Sequence, residues 1–301
     1  MPDLFNSVMK LTKLTARTVR KANKVIKKTM SNNKSSKEED PYRPTQIPAE
    51  TDVLPIAWPL KKKKAPWFIQ WTHCDERFSL TEDGALRVQL VKGCYGLKSG
   101  AAFRANPHMM LPADAATLSY NVYFPPDFNF VKGGKLPGLN IGCNPMDCST
   151  GGGWSETGGS FRIMFREHGA AIGYMYMPLP GAGPAAFEAQ NDEYKAVGKV
   201  KGGTGIDLWH GKNGGDLQLK PGSWNTVSIS VRLNGPGHSN GAVAVTINGR
   251  TRSLDGILWR LNENSKINAV NFVTFFGGGS DAWSSPVDTF VCYKDVSFAA
   301  V

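Results

Sequence analysis

From Trp67 to the C-terminus, apolar and polar residues alternate over short segments that are separated by turn residues. In NTVSISVRL, residues 225–233, every second position is apolar and serine or arginine lies between. Such period-2 alternation predicts a strand with one buried and one solvated face. The clearest segments of this kind are ALRVQLV, ATLSYNVYF, SFRIMF, GYMYM, NTVSISVRL, AVAVTI, AVNFVTFF and TFVCYKDVSF. Helical periodicity is nearly absent, so we predict an all-β fold, a two-sheet antiparallel jelly-roll sandwich, over residues 65–301.

The N-terminal part of the chain has a different pattern. Residues 4–28 place apolar side chains on one helical stripe and Lys or Arg over much of the remainder, which predicts a basic amphipathic helical extension over residues 1–30. Residues 31–50 are polar and Pro-rich, which is typical of a disordered linker, and a run of four lysines follows at 61–64. We predict a flexible linker over residues 31–64. The helix is either a solvated extension or a segment that docks on a membrane, an acidic partner or a particle surface.

The charge distribution argues against a nucleic-acid partner. The net charge is +10, but residues 1–40 hold ten Lys or Arg and four Asp or Glu, a net of +6. Only +4 therefore remains for the rest of the chain. A modestly basic folded domain instead suits a polyanionic substrate. No apolar run is long enough to span a bilayer, and the N-terminus lacks the apolar core of a secretory signal, so we expect a soluble protein.

Cysteine and histidine patterns give no indication of a metal or cofactor site. The five cysteines lack the paired spacing of a zinc site, the five histidines are scattered, and GGGWSETGGS lacks the ending of a phosphate-binding loop. We therefore expect neither a metal nor a cofactor. Cys143 and Cys148 are close enough in sequence to form a loop disulfide in an oxidising environment, or to remain as thiols.

The most informative segment is SFRIMFREHGAAIGYMYM, residues 160–177. Alternation on both sides of the EHG turn at 167–169 predicts a hairpin in which position 166 pairs with 170, 162 with 174 and 160 with 176. Neighbours across the strands would lie about 5 Å apart on one face. This register predicts a compact polar patch of four side chains: Ser160, Arg162, Tyr174 and Tyr176.

Several fragments, in order, resemble polysaccharide lyase family 14. They are GKLPG at 134–138, Ser160-x-Arg162, Tyr174-x-Tyr176, WNTVSISVRLN, LDGILWR, NFVTFFGGG and YKDVSF. The resemblance covers residues 65–301 and implies a lyase of the chlorella-virus or mollusc type that acts on alginate or glucuronan. It also implies a virus-encoded protein that acts on the host cell wall, with attachment to the virion as a further expectation. The implied catalytic and substrate-binding set is Lys135, Ser160, Arg162, Tyr174 and Tyr176.

These residue types suit β-elimination, in which the C5 proton of a uronate is removed and the C4–O bond breaks. Arg162 supplies a bidentate cation for the carboxylate, and Ser160 supplies a hydrogen bond. Lys135 is a second cation or a base, and Tyr174 and Tyr176 are candidate proton carriers. The division of base and acid between lysine and tyrosine stays open. Taken alone, an arginine on a strand is most often solvated, and Tyr-x-Tyr most often anchors a sheet face.

Two further residues are predicted to bind substrate, and three other functions compete with the lyase. Trp154, in a Gly-rich loop, would either stack on a sugar ring or plug a core edge, and Arg166 would contact the polymer. A non-catalytic carbohydrate-binding jelly roll could use the same cations and aromatics. A glycoside hydrolase would need two facing carboxylates, and Glu156 and Glu167 fall in predicted loops. A structural particle protein would leave the polar patch unexplained.

Overall fold

The computed structural model describes residues 67–107, 109–148, 155, 157–176, 198–200 (backbone only), 205–209, 217–236, 238 and 240–301. All of them belong to one compact unit of the chain. The predicted helical extension at 1–30, the linker at 31–64 and Trp154 lie outside the described residues. Helix within the described ranges is confined to short 3-10 turns, and none is long and apolar enough to cross a membrane.

The described residues form two antiparallel sheets, whose strands are numbered here in chain order. The eight-stranded sheet has the order β1-β4-β14-β6-β7-β8-β10-β9 and contains β1 (Trp67–His73), β4 (Ala101–Pro107), β6 (Gly134–Gly142), β7 (Gly159–Phe165), β8 (Ala171–Tyr176), β9 (Gly198–Val200), β10 (Gly205–Leu208) and β14 (Lys266–Phe276). The seven-stranded sheet has the order β13-β12-β11-β5-β15-β3-β2 and contains β2 (Phe78–Leu80), β3 (Leu86–Leu90), β5 (Ala115–Tyr123), β11 (Trp224–Arg232), β12 (Gly241–Ile247), β13 (Arg250–Ile257) and β15 (Thr289–Ala300). The predicted all-β sandwich is therefore confirmed.

The core lies between the two sheets and is built by the predicted alternation. In β11 the apolar residues Val227, Ile229 and Val231 are buried, whereas the two serines between them are partly exposed. Across the sandwich, the rings of Phe272 in β14 and Tyr293 in β15 meet edge to face at 4.8 Å between centroids. Large aromatic side chains from both sheets are buried in this core together with aliphatic residues, and their burial stabilises the packing of the sheets.

The predicted hairpin is formed by β7 and β8 with the expected register. Ser160 pairs with Tyr176 and Arg162 with Tyr174. A 3-10 turn at Glu167–Gly169 joins the strands, and the backbone N–H of residue 166 donates to the carbonyl of residue 170 at 2.7 Å. The alternation in this segment was therefore sufficient to place both strands and their faces.

A strand that the sequence pattern did not identify, β6, lies beside β7. Its sequence, GKLPGLNIG, contains three glycines and a proline, residue types that are depleted in strands. All nine residues are buried. Between the pairs Lys135–Met164 and Gly138–Arg162, β6 carries one more residue than β7, which is a β-bulge. Pro137 lies within the bulge, where the missing N–H breaks no ladder bond.

Candidate active site

The four residues of the predicted polar patch lie on the face of the eight-stranded sheet that points away from the core. The hydroxyl oxygens of Tyr174 and Tyr176 are 3.1 Å apart, and their rings meet edge to face. The Arg162 guanidinium carbon lies 5.7 Å from the Tyr176 ring centroid and 6.0 Å from that of Tyr174. Ser160 is directly opposite Tyr176. A cation, two phenols and a hydroxyl thus form one cluster, which we call the site cluster.

Lys135 joins the site cluster because of the bulge in β6. Residues three apart in a regular strand point to opposite faces, but the extra residue returns Lys135 to the face of Arg162. Its Nζ lies 3.5 Å from the centroid of the Tyr174 ring and 2.7 Å from the Sδ of Met164. The hydroxyl of Tyr120, in the other sheet, donates to the Pro137 carbonyl at 3.2 Å and so holds the bulge from beneath.

The site cluster is buried, and the expectation of a solvated face is wrong at this point. Arg162 is 3% exposed and Tyr176 is 2% exposed, and Ser160 is inaccessible. Only Tyr174 is partly accessible. Charges in such a site interact more strongly than they would in water, because the effective dielectric constant is low.

Arg162 is a buried cation with unused hydrogen-bond donors. Its Nε and Nη2 have no hydrogen-bond partner, and no acid of the described part of the chain forms an ion pair with it. Burial lowers the pKa of the guanidinium, and the neighbouring Tyr176 and Tyr174 oppose this shift. A desolvated arginine without a counter-charge is unfavourable for the fold, so its retention here points to an anionic ligand.

Tyr174 is held as a neutral phenol. Burial raises the pKa of its hydroxyl well above the usual range, and the nearby Tyr176 adds to the effect through its charge and its hydrogen bond. A neutral phenol can donate a proton but is a poor base. Tyr174 is therefore suited to protonate a leaving oxygen.

The two predicted substrate contacts have different outcomes. Arg166 is buried, and its Nη2 forms a short ion pair with the carboxylate of Asp207 in β10. Asp207 is directly opposite Tyr174. The Arg166 guanidinium thus already has an anionic partner in this structure, whereas that of Arg162 has none. Trp154 lies outside the described residues.

Sequence reasoning missed a second polar side chain without partners. Asn140 is directly opposite Ser160, fully buried, and both its amide oxygen and its amide nitrogen lack hydrogen-bond partners among the described residues. It was missed because the glycines and proline of β6 concealed the strand. The useful signal was the spacing: Asn140 follows Gly138 at a strand interval of two, and so shares the face of Arg162.

The loop that follows β6 contains two of the cysteines. Cys143 and Cys148 are both free cysteines in this structure. Cys148 is close enough to Arg104 and Arg162 for both cations to lower its pKa, although burial raises it by more. In the described part of the chain, no group of three His, Cys, Asp or Glu side chains could hold a metal ion.

Gly138→Ala is expected to lower both stability and activity. A Cβ at this position would collide with the carbonyl oxygen of Phe161 and lie 2.7 Å from the Cα and 2.9 Å from the Cγ of Arg162. Overpacking of this kind typically costs about 1–3 kcal/mol. Thermal melting and kcat/KM would measure the two effects. Gly279→Ala is the matched control, because a Cβ there meets nothing within 4 Å. Equal behaviour of both variants would show that the close approach is unimportant.

The fold and the site cluster define a β-sandwich protein with a buried cationic and phenolic site. The family described as polysaccharide lyase 14 matches residues 79–296. The chain belongs to this family, as the sequence fragments predicted.

Known relatives and structures agree with this assignment. Exolysin of Paramecium bursaria Chlorella virus 1 is 27% identical over 225 residues, which are 70% of this chain and 33% of Exolysin. The chain thus spans about a third of the length of that relative. The alginate lyase of Aplysia kurodai is 26% identical with a TM-score of 0.65, over 77% of this chain and 90% of that one. Alginate lyase vAL-1 from a Chlorella virus has 24% identity and a TM-score of 0.62, over 78% and 93%.

Proposed function

We propose that this chain is a polysaccharide lyase that cleaves a uronic-acid polymer, of the alginate or glucuronan type, by β-elimination. The observation that carries the proposal is Arg162, a buried guanidinium whose Nε and Nη2 have no partner and which lies beside two phenols. A uronate carboxylate matches such a donor pair in both charge and geometry. Family membership and the alginate lyases among the similar proteins support the same substrate class.

The first requirement of the reaction is to neutralise the carboxylate next to C5. Arg162 can bind it through two nitrogens, and the Asn140 amide and the Ser160 hydroxyl lie on neighbouring positions of the same face. Neutralising the carboxylate makes the C5 proton more acidic, since the negative charge that develops on removing it is then stabilised. Burial strengthens each of these interactions.

The second requirement is proton transfer. A base takes the C5 proton, the electrons of that bond form the C4–C5 double bond, and the C4–O bond breaks. Tyr174, a neutral phenol, protonates the departing oxygen, while Tyr176 as the phenolate or Lys135 as the neutral amine accepts the C5 proton. The hydrogen bond between the two phenols offers a path for returning the proton.

The competing functions account for the site less well. A non-catalytic sugar-binding protein could use the arginine and one phenol, but it would not need a second phenol hydrogen-bonded to the first. A hydrolase would need two facing carboxylates. In the described ranges, Asp207 is the acid opposite the site cluster, and it is paired with Arg166.

The cellular context is part of the proposal. The chlorovirus relative supports a virus-encoded protein. We propose that its substrate is an acidic polysaccharide of the host cell wall. Attachment to a surface or a virion through residues 1–30 stays a prediction.

Incubation of the full chain with polyglucuronate or alginate is expected to produce ultraviolet absorbance from the new C4–C5 double bond, because elimination leaves an unsaturated uronate end. A neutral glucan, which has no carboxylate for Arg162, is expected to give none. Release of reducing ends without absorbance would indicate hydrolysis and contradict the proposal.

A strong chelator is expected to leave the rate unchanged, since Arg162 and Lys135 are cations that can neutralise the carboxylate themselves. Loss of activity that returns on adding a divalent metal would show that these side chains are not sufficient.

A further inference from the structure

The face that carries the site cluster continues across three more strands. Arg162 in β7 is opposite Gly138 in β6, which is opposite Asn271 in β14, which is opposite Arg104 in β4. Arg104 is in turn opposite Trp71 in β1. Directly paired residues point to the same side of a sheet. Arg104 and Trp71 therefore share the face and the row of Arg162.

At this end of the row, a cation and two rings form a second cluster. The guanidinium carbon of Arg104 lies 5.1 Å from the Trp71 ring centroid. The His73 ring stacks on the Trp71 ring, with centroids 6.1 Å apart and an interplanar angle of 15°. All three side chains are partly exposed. We call these three residues the Trp71 cluster.

The Trp71 cluster also has unused hydrogen-bonding atoms. The Nη1 of Arg104 donates to the Pro145 carbonyl at 3.1 Å, but its Nε is buried without a partner, as is the Nε2 of His73. No acid in the described ranges forms an ion pair with Arg104. The cluster thus combines a cation, an aromatic ring and an imidazole, and two of its nitrogens have no hydrogen-bond partner.

The two arginines repel each other across the row. Burial is the main cause that lowers the pKa of Arg162, and Tyr176 and Tyr174 oppose this shift. The positive charge of Arg104 lowers the pKa further. Their backbones are three strand spacings apart, roughly 14 Å. An anion bound at one site alone would leave the other cation uncompensated. A polymer with a carboxylate on each sugar would neutralise both.

We propose that the Trp71 cluster is a distal subsite for the acidic polysaccharide, in which Arg104 binds the carboxylate of a second uronate and Trp71 packs against its ring. The inference rests on the proposed function, since it uses the same polymer. The bound chain crosses the strands from Arg162 to Trp71. Affinity therefore depends on the length of the substrate as well as on its charge.

Arg104→Gln is expected to raise KM for a long uronate polymer by roughly tenfold to hundredfold, the effect of losing a hydrogen bond to a charged group. The change in kcat is expected to be much smaller, because Arg104 is remote from the breaking bond. For an oligosaccharide too short to extend from Arg162 to Trp71, the rise in KM is expected to shrink. Trp71→Ala should act in the same direction, and Trp71→Phe should restore most of the loss.

Arg87→Gln is the matched control. Arg87 also lies over an aromatic ring, at 4.4 Å from the Phe290 centroid, but it belongs to the seven-stranded sheet and points away from the core. Melting temperatures of all variants would identify any loss of folding. If the wild type cleaves the polymer and Arg104→Gln keeps the wild-type KM, the subsite is contradicted while the lyase function stands.

A binding measurement separates the two proposals. If the wild type produces no unsaturated uronate from any uronate polymer, the lyase function is contradicted. Binding of polyglucuronate to the wild type, Arg104→Gln and Arg87→Gln is then compared by calorimetry. Weaker binding by Arg104→Gln alone supports the subsite without the lyase. Equal binding by all three contradicts the subsite as well.

Discussion

Arg162→Ala and Arg162→Met are expected to reduce kcat/KM by about 10³-fold or more, since each removes the cation that neutralises the carboxylate in the transition state. Arg162→Lys keeps the charge but loses the bidentate geometry, and we expect it to remain strongly impaired. The measurement is the initial rate of ultraviolet absorbance increase on polyglucuronate or alginate.

The same substitutions are not expected to destabilise the fold. The Arg162 guanidinium is buried with two nitrogens unpartnered, so Met at this position removes an uncompensated charge and keeps most of the volume. The melting temperature of Arg162→Met should equal or exceed that of the wild type. A stable, inactive variant would show that the arginine is retained for function at the expense of stability.

Arg260 provides the contrasting control. It is 6% exposed, but it donates to the Asn234 carbonyl at 2.8 Å and pairs with Asp114 at 2.5 Å. Arg260→Met removes these contacts and leaves the buried Asn234 carbonyl without this donor, which is expected to cost roughly 1–3 kcal/mol. If Arg162→Met is destabilised as much as Arg260→Met, Arg162 has a structural role that its contacts do not reveal. Full activity of Arg162→Met would refute its role in the reaction.

Tyr174→Phe and Tyr176→Phe are each expected to lower kcat by roughly 10²–10⁴-fold if that phenol transfers a proton. The double variant should be little slower than the slower single variant, because the two hydroxyls act through one hydrogen bond. Each replacement also removes that partly buried bond, so a loss of about 1 kcal/mol is expected. Rates and melting curves of the three variants provide the test.

Full activity of both Phe variants would show that the phenols only contact the sugar. Lys135 would then be the remaining candidate proton carrier, because its Nζ lies beside the Tyr174 ring. Loss of activity confined to Tyr176→Phe would contradict the assignment of Tyr174 as the acid.

The fold places the proposed chemistry at one point of one sheet. The hairpin β7–β8 supplies Arg162 and both phenols, and the neighbouring strand β6 supplies Lys135 and Asn140. Glycine makes this arrangement possible at two positions. A side chain at Gly138 would displace Arg162, and a Cβ at Gly205 in β10 would collide with the Tyr174 hydroxyl.

Local alternation by itself determined the hairpin. The register of β7 and β8, and the sheet face to which each side chain points, follow from a short turn and a period of two. The turn and the period depend only on residues close in sequence. The same reasoning predicted the buried and polar faces of β11 and the all-β class, whereas the family was predicted from the resemblance of several short sequence fragments. These features are encoded by neighbouring residues and therefore needed no knowledge of the rest of the fold.

Only the tertiary structure decided which polar residues are buried together and with what partners. Lys135 faces the site because a bulge in β6 shifts its direction, and that bulge is held by Tyr120 from the other sheet. Arg166 is paired because Asp207, 41 residues away, lies across β8. The row from Arg162 to Trp71 joins strands that are distant in the chain. Such contacts depend on strand order and on packing between sheets, which periodicity along the chain does not encode.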